Sequence, residues 1–423
     1  MSNLPTVIFL QKPNNFETKY LIGNPDITFF KSVYRRYTNF SKFTTSISPT
    51  ESTNSFQYKI SNFAGDLLSK VYLENNITFN GSTVIYNNLG TSCFNEINIK
   101  FNNNKTIFRN DNLYLEARSE LNNDTVFTNI GNFTTSPYLT INASNIVCIN
   151  GNKYQNTTLS GGVGGMKTLP TFTATANFFI IPDFSFMKDY GLSIPLLCLN
   201  NTDIYFNCLF NKNSISDVAP SKYEQKCIVE YINLDLAEKK RFKLNDHEYI
   251  IEDTTKLPFL LTNTTPININ DSDSILKQLL FVGGNDLNLN NKEHNTPKEI
   301  SDNSNIRLTL DNELFIDNIT SNMLTRYNVY QHYKGSGREA YNTCNTPSDN
   351  YGLIDSIGVV SFCLYPNNYT QPSGSVSISN NKNLAVNLYS NDQNTNTLNN
   401  IIVYKISYNI LKISNGEAQL YMV

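Results

Sequence analysis

Ile97-Asn98-Ile99-Lys100-Phe101-Asn102-Asn103-Asn104-Lys105-Thr106-Ile107-Phe108 is the stretch from which the architecture is most readily read. Ile97, Ile99 and Phe101 alternate with Asn98 and Lys100, the period of two that marks a half-buried strand. Three asparagines follow, a residue that tolerates left-handed backbone and caps its own turns. They reverse the chain into a second short strand. Asp111 then stands where it can cap a helix over Asp111 to Leu121, whose apolar positions Leu113, Ala117 and Leu121 recur at helical spacing. The unit is strand, turn, strand, helix.

The same unit recurs in the second half. Ile306 to Ile316 reads as a hairpin turning at Asp311-Asn312 and leads into a helix expected over Asp317 to Tyr330 (Ile319, Met323, Tyr327), with Asp317 as its cap. A second pair of segments matches as well. Phe179-Ile180-Ile181-Pro182, then Gly191 and strands through Phe210, is echoed by Phe362-Cys363-Leu364-Tyr365-Pro366, then Gly374 and strands through Tyr389. Repeats at so long a spacing indicate a duplicated domain and not a solenoid, whose period is about 20 to 50 residues. The polar stretch Ala219 to Gln225 is the expected junction. It divides the chain into an arm at 1–43, a first domain at 44–222 and a second at 223–423.

Composition agrees with this. A chain of 423 residues suits two domains, each able to bury a core without disulfides or metals. Phe (26) and Tyr (25) are abundant and Trp is absent, a balance favouring strands, so the expected class is all-β with short helices in the loops. Tyr404, Ile406, Tyr408 and Ile410 continue the alternation near the end. Polar stretches at Asn122 to Pro170, Asn263 to Ser304, Gly335 to Asn350 and Ser390 to Asn399 lack periodicity and read as long loops, where contacts and variation concentrate.

A formal charge of −3 argues against a protein that coats nucleic acid, because counterion release needs a surplus of Lys and Arg. No apolar run approaches the roughly 20 residues that span a bilayer, and Met1-Ser2-Asn3-Leu4-Pro5 does not open like a secretory signal, so synthesis in the cytoplasm is expected. The seven cysteines, Cys93, Cys148, Cys198, Cys208, Cys227, Cys344 and Cys363, form no CxxC pair and are expected as reduced thiols.

Motifs that carry chemistry are weak. In Gly161-Gly162-Val163-Gly164-Gly165-Met166-Lys167-Thr168, Met166 stands where a phosphate loop needs its last glycine, which favours a flexible loop. His247, His294 and His332 lie far apart without a second ligand at metal spacing, so no metal and no cofactor is expected. Nucleophile signatures such as GxSxG and SxxK are missing, and no catalytic residue is assigned. Asp183, Asp189 and Glu224 are carboxylates of the type a glycosidase pairs as acid and base, and jelly-roll sheets do host sugar sites. Lys239-Lys240-Arg241 with Lys243 reads as a charged turn between strands at Ile228 to Leu236 and Glu248 to Glu252. The N-terminal basic cluster differs from it. Phe29, Phe30, Tyr34 and Tyr37 give the arm an apolar side and Lys31, Arg35 and Arg36 a basic one, a combination suited to contacting a partner.

The arm also carries a family signature. Gly23-Asn24-Pro25-Asp26-Ile27-Thr28-Phe29-Phe30-Lys31-Ser32-Val33-Tyr34-Arg35-Arg36-Tyr37-Thr38-Asn39-Phe40 closely resembles the N-terminal signature of the major capsid proteins of nucleocytoplasmic large DNA viruses. Similar blocks follow in order: Gly65 to Leu73, Tyr86 to Gly90, Gly191 to Leu196, Arg241-Phe242 with His247-Glu248-Tyr249, Gln371 to Ser375, and Tyr408 to Ile413. The chain departs from the pattern at Tyr37, where the family often has His, at Ser377 to Asn380, and at Asn415 to Ala418. The resemblance implies a double jelly roll, two tandem antiparallel sandwiches of about eight strands each. It further implies a non-enzymatic shell subunit that trimerises into pseudo-hexagonal capsomers of an icosahedral virion. Expected partners are further copies of itself, minor capsid proteins and an inner viral membrane surface, with no direct nucleic acid. The alternatives are a double jelly-roll assembly scaffold and a carbohydrate-binding jelly-roll protein.

Overall fold

A computed structural model describes residues 24–32, 34–50, 55–79, 91, 93–102, 105–122, 140–141, 174–211, 221–261, 267–269, 274–283, 300, 304–311, 313–333, 338–341, 352–378, 384–390 and 401–421. Two units result, Met1–Asn39 and Phe40–Val423.

Among the described residues the larger unit opens with ten strands: β1 (Phe40–Ile47), β2 (Ser55–Ile60), β3 (Leu67–Phe79), β4 (Phe94–Phe101), β5 (Lys105–Asp111), β6 (Thr140–Ile141), β7 (Ala174–Ile180), β8 (Ile194–Pro195), β9 (Ile204–Phe210) and β10 (Lys222–Leu234). Helix α1 (Asn112–Asn122) follows β5 and helix α2 (Leu236–Leu244) follows β10. Twelve further strands are β11 (His247–Leu261), β12 (Ile267–Ile269), β13 (Ser274–Gly283), β14 (Ser304–Leu310), β15 (Glu313–Thr320), β16 (Arg338–Tyr341), β17 (Gly352–Asp355), β18 (Ile357–Ser361), β19 (Val376–Ile378), β20 (Leu384–Ser390), β21 (Ile401–Ser414) and β22 (Glu417–Leu420). A π-turn at Met323–Tyr327 runs into the short helix α3 (Asn328–His332) after β15.

The pairing is the same in both halves. One sheet of the first half runs β1-β10-β3-β7-β6 and the other β2-β9-β4-β5; in the second half the sheets run β11-β21-β13-β18 and β12-β20-β14-β15. In the first half β1 pairs with β10 and β2 with β9; in the second β11 pairs with β21 and β12 with β20, β22 only folding back onto β21; every pair is antiparallel, which is the wrapping of a jelly roll repeated once along the chain. The hairpins matched in sequence, Ile97 to Phe108 and Ile306 to Ile316, are β4-β5 and β14-β15, equivalent strands in the two sandwiches.

Alternation explains the packing. Phe56, Tyr58 and Ile60 of β2 and Ile204, Phe206 and Cys208 of β9 point inward, onto Val71 and Leu73 of β3 and Val229 and Tyr231 of β10. Each such side chain contributes about 1.5–3 kcal/mol on burial. One polar knot lies inside: Gln225 Nε2 donates to Asn75 Oδ1 at 2.7 Å, and Tyr58 Oη donates to Gln225 Oε1 at 3.0 Å. A second core gathers Leu276, Leu279 and Phe281 with Ile306, Leu308, Val386 and Val403. Cys93, Cys198, Cys208, Cys227 and Cys363 are not joined in disulfides, while Cys148 and Cys344 lie outside the described residues.

Several expectations are corrected. The junction at 222/223 falls at the start of β10, which pairs with β1 and β3 and so belongs to the first sandwich. Lys222 to Gln225 of the polar stretch are themselves part of β10, and the connector to β11 is α2. The sandwich likewise starts at Phe40, inside the stretch assigned to the arm, because Phe40 already pairs with Leu234. Lys239-Lys240-Arg241 is helical and not a turn. Asp235 Oδ1 accepts from the Glu238 backbone N–H at 2.8 Å and caps α2, although no residue of that helix is fully buried. Within the supposed loop Asn263 to Ser304 lies β13, whose residues from Leu276 onward are buried on both faces and so show no alternation. Asp317 caps nothing, since β15 stays paired with β14 through Thr320 and the ladder overrides the local capping preference. The remainder of the expected loops, and Gly161 to Thr168, lie mostly or wholly outside the described residues; of Asn122 to Pro170, Thr140–Ile141 forms β6 on β7.

Candidate assembly site

The site is built from a buried seam between the sandwiches, an exposed helical stripe on the second, the outer sheet face around Tyr190 on the first, and the arm.

The seam starts at Asp111, the last residue of β5. Its Oδ1 accepts from the Tyr114 backbone N–H at 2.7 Å, capping α1 as the sequence suggested, while Tyr404 Oη of β21 donates to its Oδ2 at 2.8 Å. Burial pushes the Asp111 carboxyl above its ordinary value, against the pull of Lys256. Fixed in this way, α1 keeps Leu115 in the core of its own sandwich and lays its other side on the outer face of the second. Leu113, Tyr114, Ala117 and Leu121 pack with Leu280 and Val282 of β13, Ile357 and Val359 of β18, and Tyr404 and Ile406 of β21.

Beside this apolar contact stands a buried polar cluster. Arg118 Nε meets Asp183 Oδ2 at 3.0 Å, and Arg118 Nη1 donates to Tyr333 Oη of the second sandwich at 3.0 Å. Tyr333 Oη passes a hydrogen bond of 2.7 Å to Gln278 Oε1, and Arg118 Nη2 donates to Tyr369 Oη. Lys188 also pairs with Asp183, as does Lys277 with Glu252. Burial alone would raise the Asp183 carboxyl, but Lys188 and Arg118 overcome it and hold it well below the usual range. Strand β21 threads three apolar clusters, with Ile401 and Val403 in the second core, Tyr404 and Ile406 under α1, and Leu411 and Ile413 against the first core.

On the second sandwich, Met323, Tyr327 and Tyr330 are exposed at positions i, i+4 and i+7 of the π-turn and α3, with Tyr330 84% accessible. On the first, the outer face of β1-β10-β3 carries Tyr190, itself half exposed, with Lys42 Nζ 5.9 Å and Lys70 Nζ 5.1 Å from its ring centroid. Lys42 Nζ is held by Glu230 at 3.2 Å, which in turn accepts from Ser69 Oγ at 2.6 Å.

The arm is described as a body of its own. Phe29 and Phe30 form a turn in which Phe30 N donates to Thr28 Oγ1 at 3.3 Å, Lys31 lies in the following bend, and Tyr34, Arg35, Arg36 and Tyr37 run without regular structure toward Phe40. Its own residues leave Phe29, Phe30, Tyr34 and Tyr37 exposed. The seven residues therefore share a segment but are not gathered into a pocket by it.

Of the carboxylates weighed as a sugar-cleaving pair, Asp183 is in the seam, Asp189 accepts from Gly191 N at 2.7 Å, and Glu224 pairs with Lys222 at 2.8 Å on the surface. His247 stacks between Phe242 and Tyr249, His332 is half-buried, and His294 lies outside the described residues. Among the described residues no group of three or more His, Cys, Asp or Glu is placed to hold a metal. Sequence reasoning missed the seam. Asp183 stands out only as a carboxylate of the kind a glycosidase uses, Arg118 carries no local signal, and only the helical phase of Leu113, Ala117 and Leu121 indicated that α1 had an apolar side to bury.

Residues 28–240 match the family model described as major capsid protein N-terminus. A major capsid protein of Pyramimonas orientalis virus is 26% identical over 420 residues, covering 95% of each chain. One from Paramecium bursaria Chlorella virus 1 is 27% identical over 245 residues, covering 55% of this chain and 49% of its own. Among solved structures, PBCV-1 VP54 fitted into a cryo-EM reconstruction of the virophage Sputnik superposes with a TM-score of 0.68 at 19% identity, over 94% of this chain and all (100%) of that one. The Faustovirus major capsid protein gives 0.62 at 12% identity, over 97% and 96%. Those structural likenesses extend the duplicated jelly roll over nearly the whole length of the chain.

Proposed function

From the premise that this chain belongs to the major capsid protein family, we propose that it works by self-association, three copies closing into a pseudo-hexagonal capsomer of an icosahedral shell. It is a structural capsid subunit of a large DNA virus, a component of the virion. The observation that carries the trimer is the buried seam. Because α1 of the first sandwich is sunk into the second, the two similar sandwiches move as one body, and a closed ring of three chains presents six similar sandwiches. Such an outline tiles a flat facet. No turnover is assigned to any residue.

The arm supplies contacts beyond the ring. Phe29, Phe30, Tyr34 and Tyr37 offer apolar area, and Lys31, Arg35 and Arg36 suit an anionic surface, each worth about 1 kcal/mol close to a charged membrane. Neighbouring capsomers, minor capsid proteins and an inner viral membrane are the partners that fit it. Synthesis in the infected host cytoplasm belongs to the same reading. Multi-angle light scattering on the purified chain at micromolar concentration tests it: a trimer is expected, and a stable monomer or a twofold dimer overturns it.

A further inference from the structure

Among the described residues, the duplication leaves one donor surface and one acceptor surface without a counterpart in the same chain. In the first half, the unit β4-β5-α1 sends its helix onto the outer face of the second half's sheet β11-β21-β13-β18. The equivalent unit in the second half is β14-β15 followed by the π-turn and α3, and the equivalent sheet in the first half is β1-β10-β3-β7. Within one chain the first step is satisfied. The second is open at both ends: Met323, Tyr327 and Tyr330 stand exposed on the helical side, and Tyr190, Lys42 and Lys70 on the sheet side.

We propose that the Met323, Tyr327 and Tyr330 stripe of one copy packs on the outer face of β1-β10-β3 of a second copy, around Tyr190, Lys42 and Lys70. This rests on the trimer reading given above and names the surfaces that make it. The occupant is another copy because the contact repeats one already made within the chain. An unlike patch meeting an unlike patch is head-to-tail, and such a contact closes only as a ring.

The chemistry of the two faces is complementary. Tyrosine and methionine are enriched at the centres of protein interfaces, and the lysines beside Tyr190 can take the faces and hydroxyls of the arriving tyrosines. The internal contact is mainly apolar, through Leu280, Val282 and Ile406 with the ring of Tyr404, whereas this one is polar on the accepting side. That difference suits surfaces that are soluble before they assemble.

The test uses the full chain. A Tyr330→Cys/Tyr190→Cys variant treated with a short bismaleimide is expected to yield covalent dimers and trimers, while each single variant and a Tyr330→Cys/Lys59→Cys control stay uncrosslinked. Tyr327→Glu with Tyr330→Glu, at side chains that are already exposed, should weaken association roughly tenfold or more in sedimentation equilibrium with an unchanged circular dichroism spectrum. A trimer that survives the two glutamates and does not crosslink through 330 and 190 overturns this inference and leaves the trimer standing. A wild-type chain that is monomeric overturns both.

Discussion

Arg118 and Asp183 meet through Nε and Oδ2 at 3.0 Å, both almost wholly enclosed, and the remaining guanidinium nitrogens of Arg118 reach Tyr333 and Tyr369 of the other sandwich. An ion pair within one domain thus anchors hydrogen bonds to the next. Removing Arg118 leaves the Asp183 carboxylate with Lys188 and the Tyr114 hydroxyl and strips two buried hydroxyls of their donor. Arg118→Met should cost about 3 kcal/mol, within the range for breaking a buried pair. Thermal unfolding read by calorimetry checks it, and a loss below about 1 kcal/mol would show that the seam does not depend on this contact.

The same pair sets an acid limit. The Asp183 carboxyl titrates below its unfolded value of about 3.9, so its stabilisation is complete above that pH and is lost as pH falls through the lower folded value. Denaturant midpoints of the wild type should therefore hold down to about pH 4 as far as this group is concerned. The Asp183→Asn variant should lose its deficit relative to wild type only below that point. A deficit that disappears already at pH 6 would contradict the assignment.

Glu116 acts in the opposite direction. It is buried in α1 with Oε2 accepting from Thr91 Oγ1 at 2.5 Å, and burial pushes its carboxyl up to about 8 despite that bond. Between the unfolded value of about 4.3 and this one, the folded chain keeps a proton that the unfolded chain has released, so stability declines as pH rises through that window. Glu116→Gln should be neutral near pH 4 and stabilising at pH 8. Urea midpoints across the range decide, and an unchanged slope would mean that Glu116 is ionised when folded.

These buried polar groups mark the limit of what the sequence discloses. Strand pairs such as β4-β5 and β14-β15 were legible because alternation, asparagine turns and an aspartate cap agree on one local answer, and their recurrence disclosed the duplication. The junction was misjudged for a physical reason. A strand is assigned to a sheet by long-range pairing, and nothing within Lys222–Leu234 says that its partners are Phe40–Ile47 and Leu67–Phe79. Strand β13 was hidden because burial on both faces erases the periodicity that reveals strands. The arm residues were visible as a mixed aromatic and basic segment, but the seam, which joins residues distant in the chain such as Asp111 and Tyr404, leaves no local pattern.

Strand β10 lies between β1 and β3 and completes the first sandwich. A fragment of residues 1–222 lacks the strand between β1 and β3 and should be insoluble, whereas 1–245, which retains β10 and α2, should give a dispersed amide spectrum typical of a folded sheet. Equal solubility of the two would contradict the strand order.

Gly374 follows Phe362 and Cys363 closely in space and sits at φ +135°, where an added Cβ would stand 3.1 Å from the Phe362 carbonyl oxygen. Gly374→Ala should destabilise by about 2 kcal/mol through backbone strain. A change of less than about 0.5 kcal/mol in chemical denaturation would mean that the turn relaxes freely.

The central claim is that this chain builds the shell, and cryo-EM of the virus particle that carries it tests that claim most directly. The account predicts capsomers of three subunits, each filled by two adjacent jelly rolls with α1 in the seam between them and Met323, Tyr327 and Tyr330 facing the β1-β10-β3 sheet of the next subunit. A mature shell whose density is accounted for by another protein, with this chain missing from it, would contradict the account.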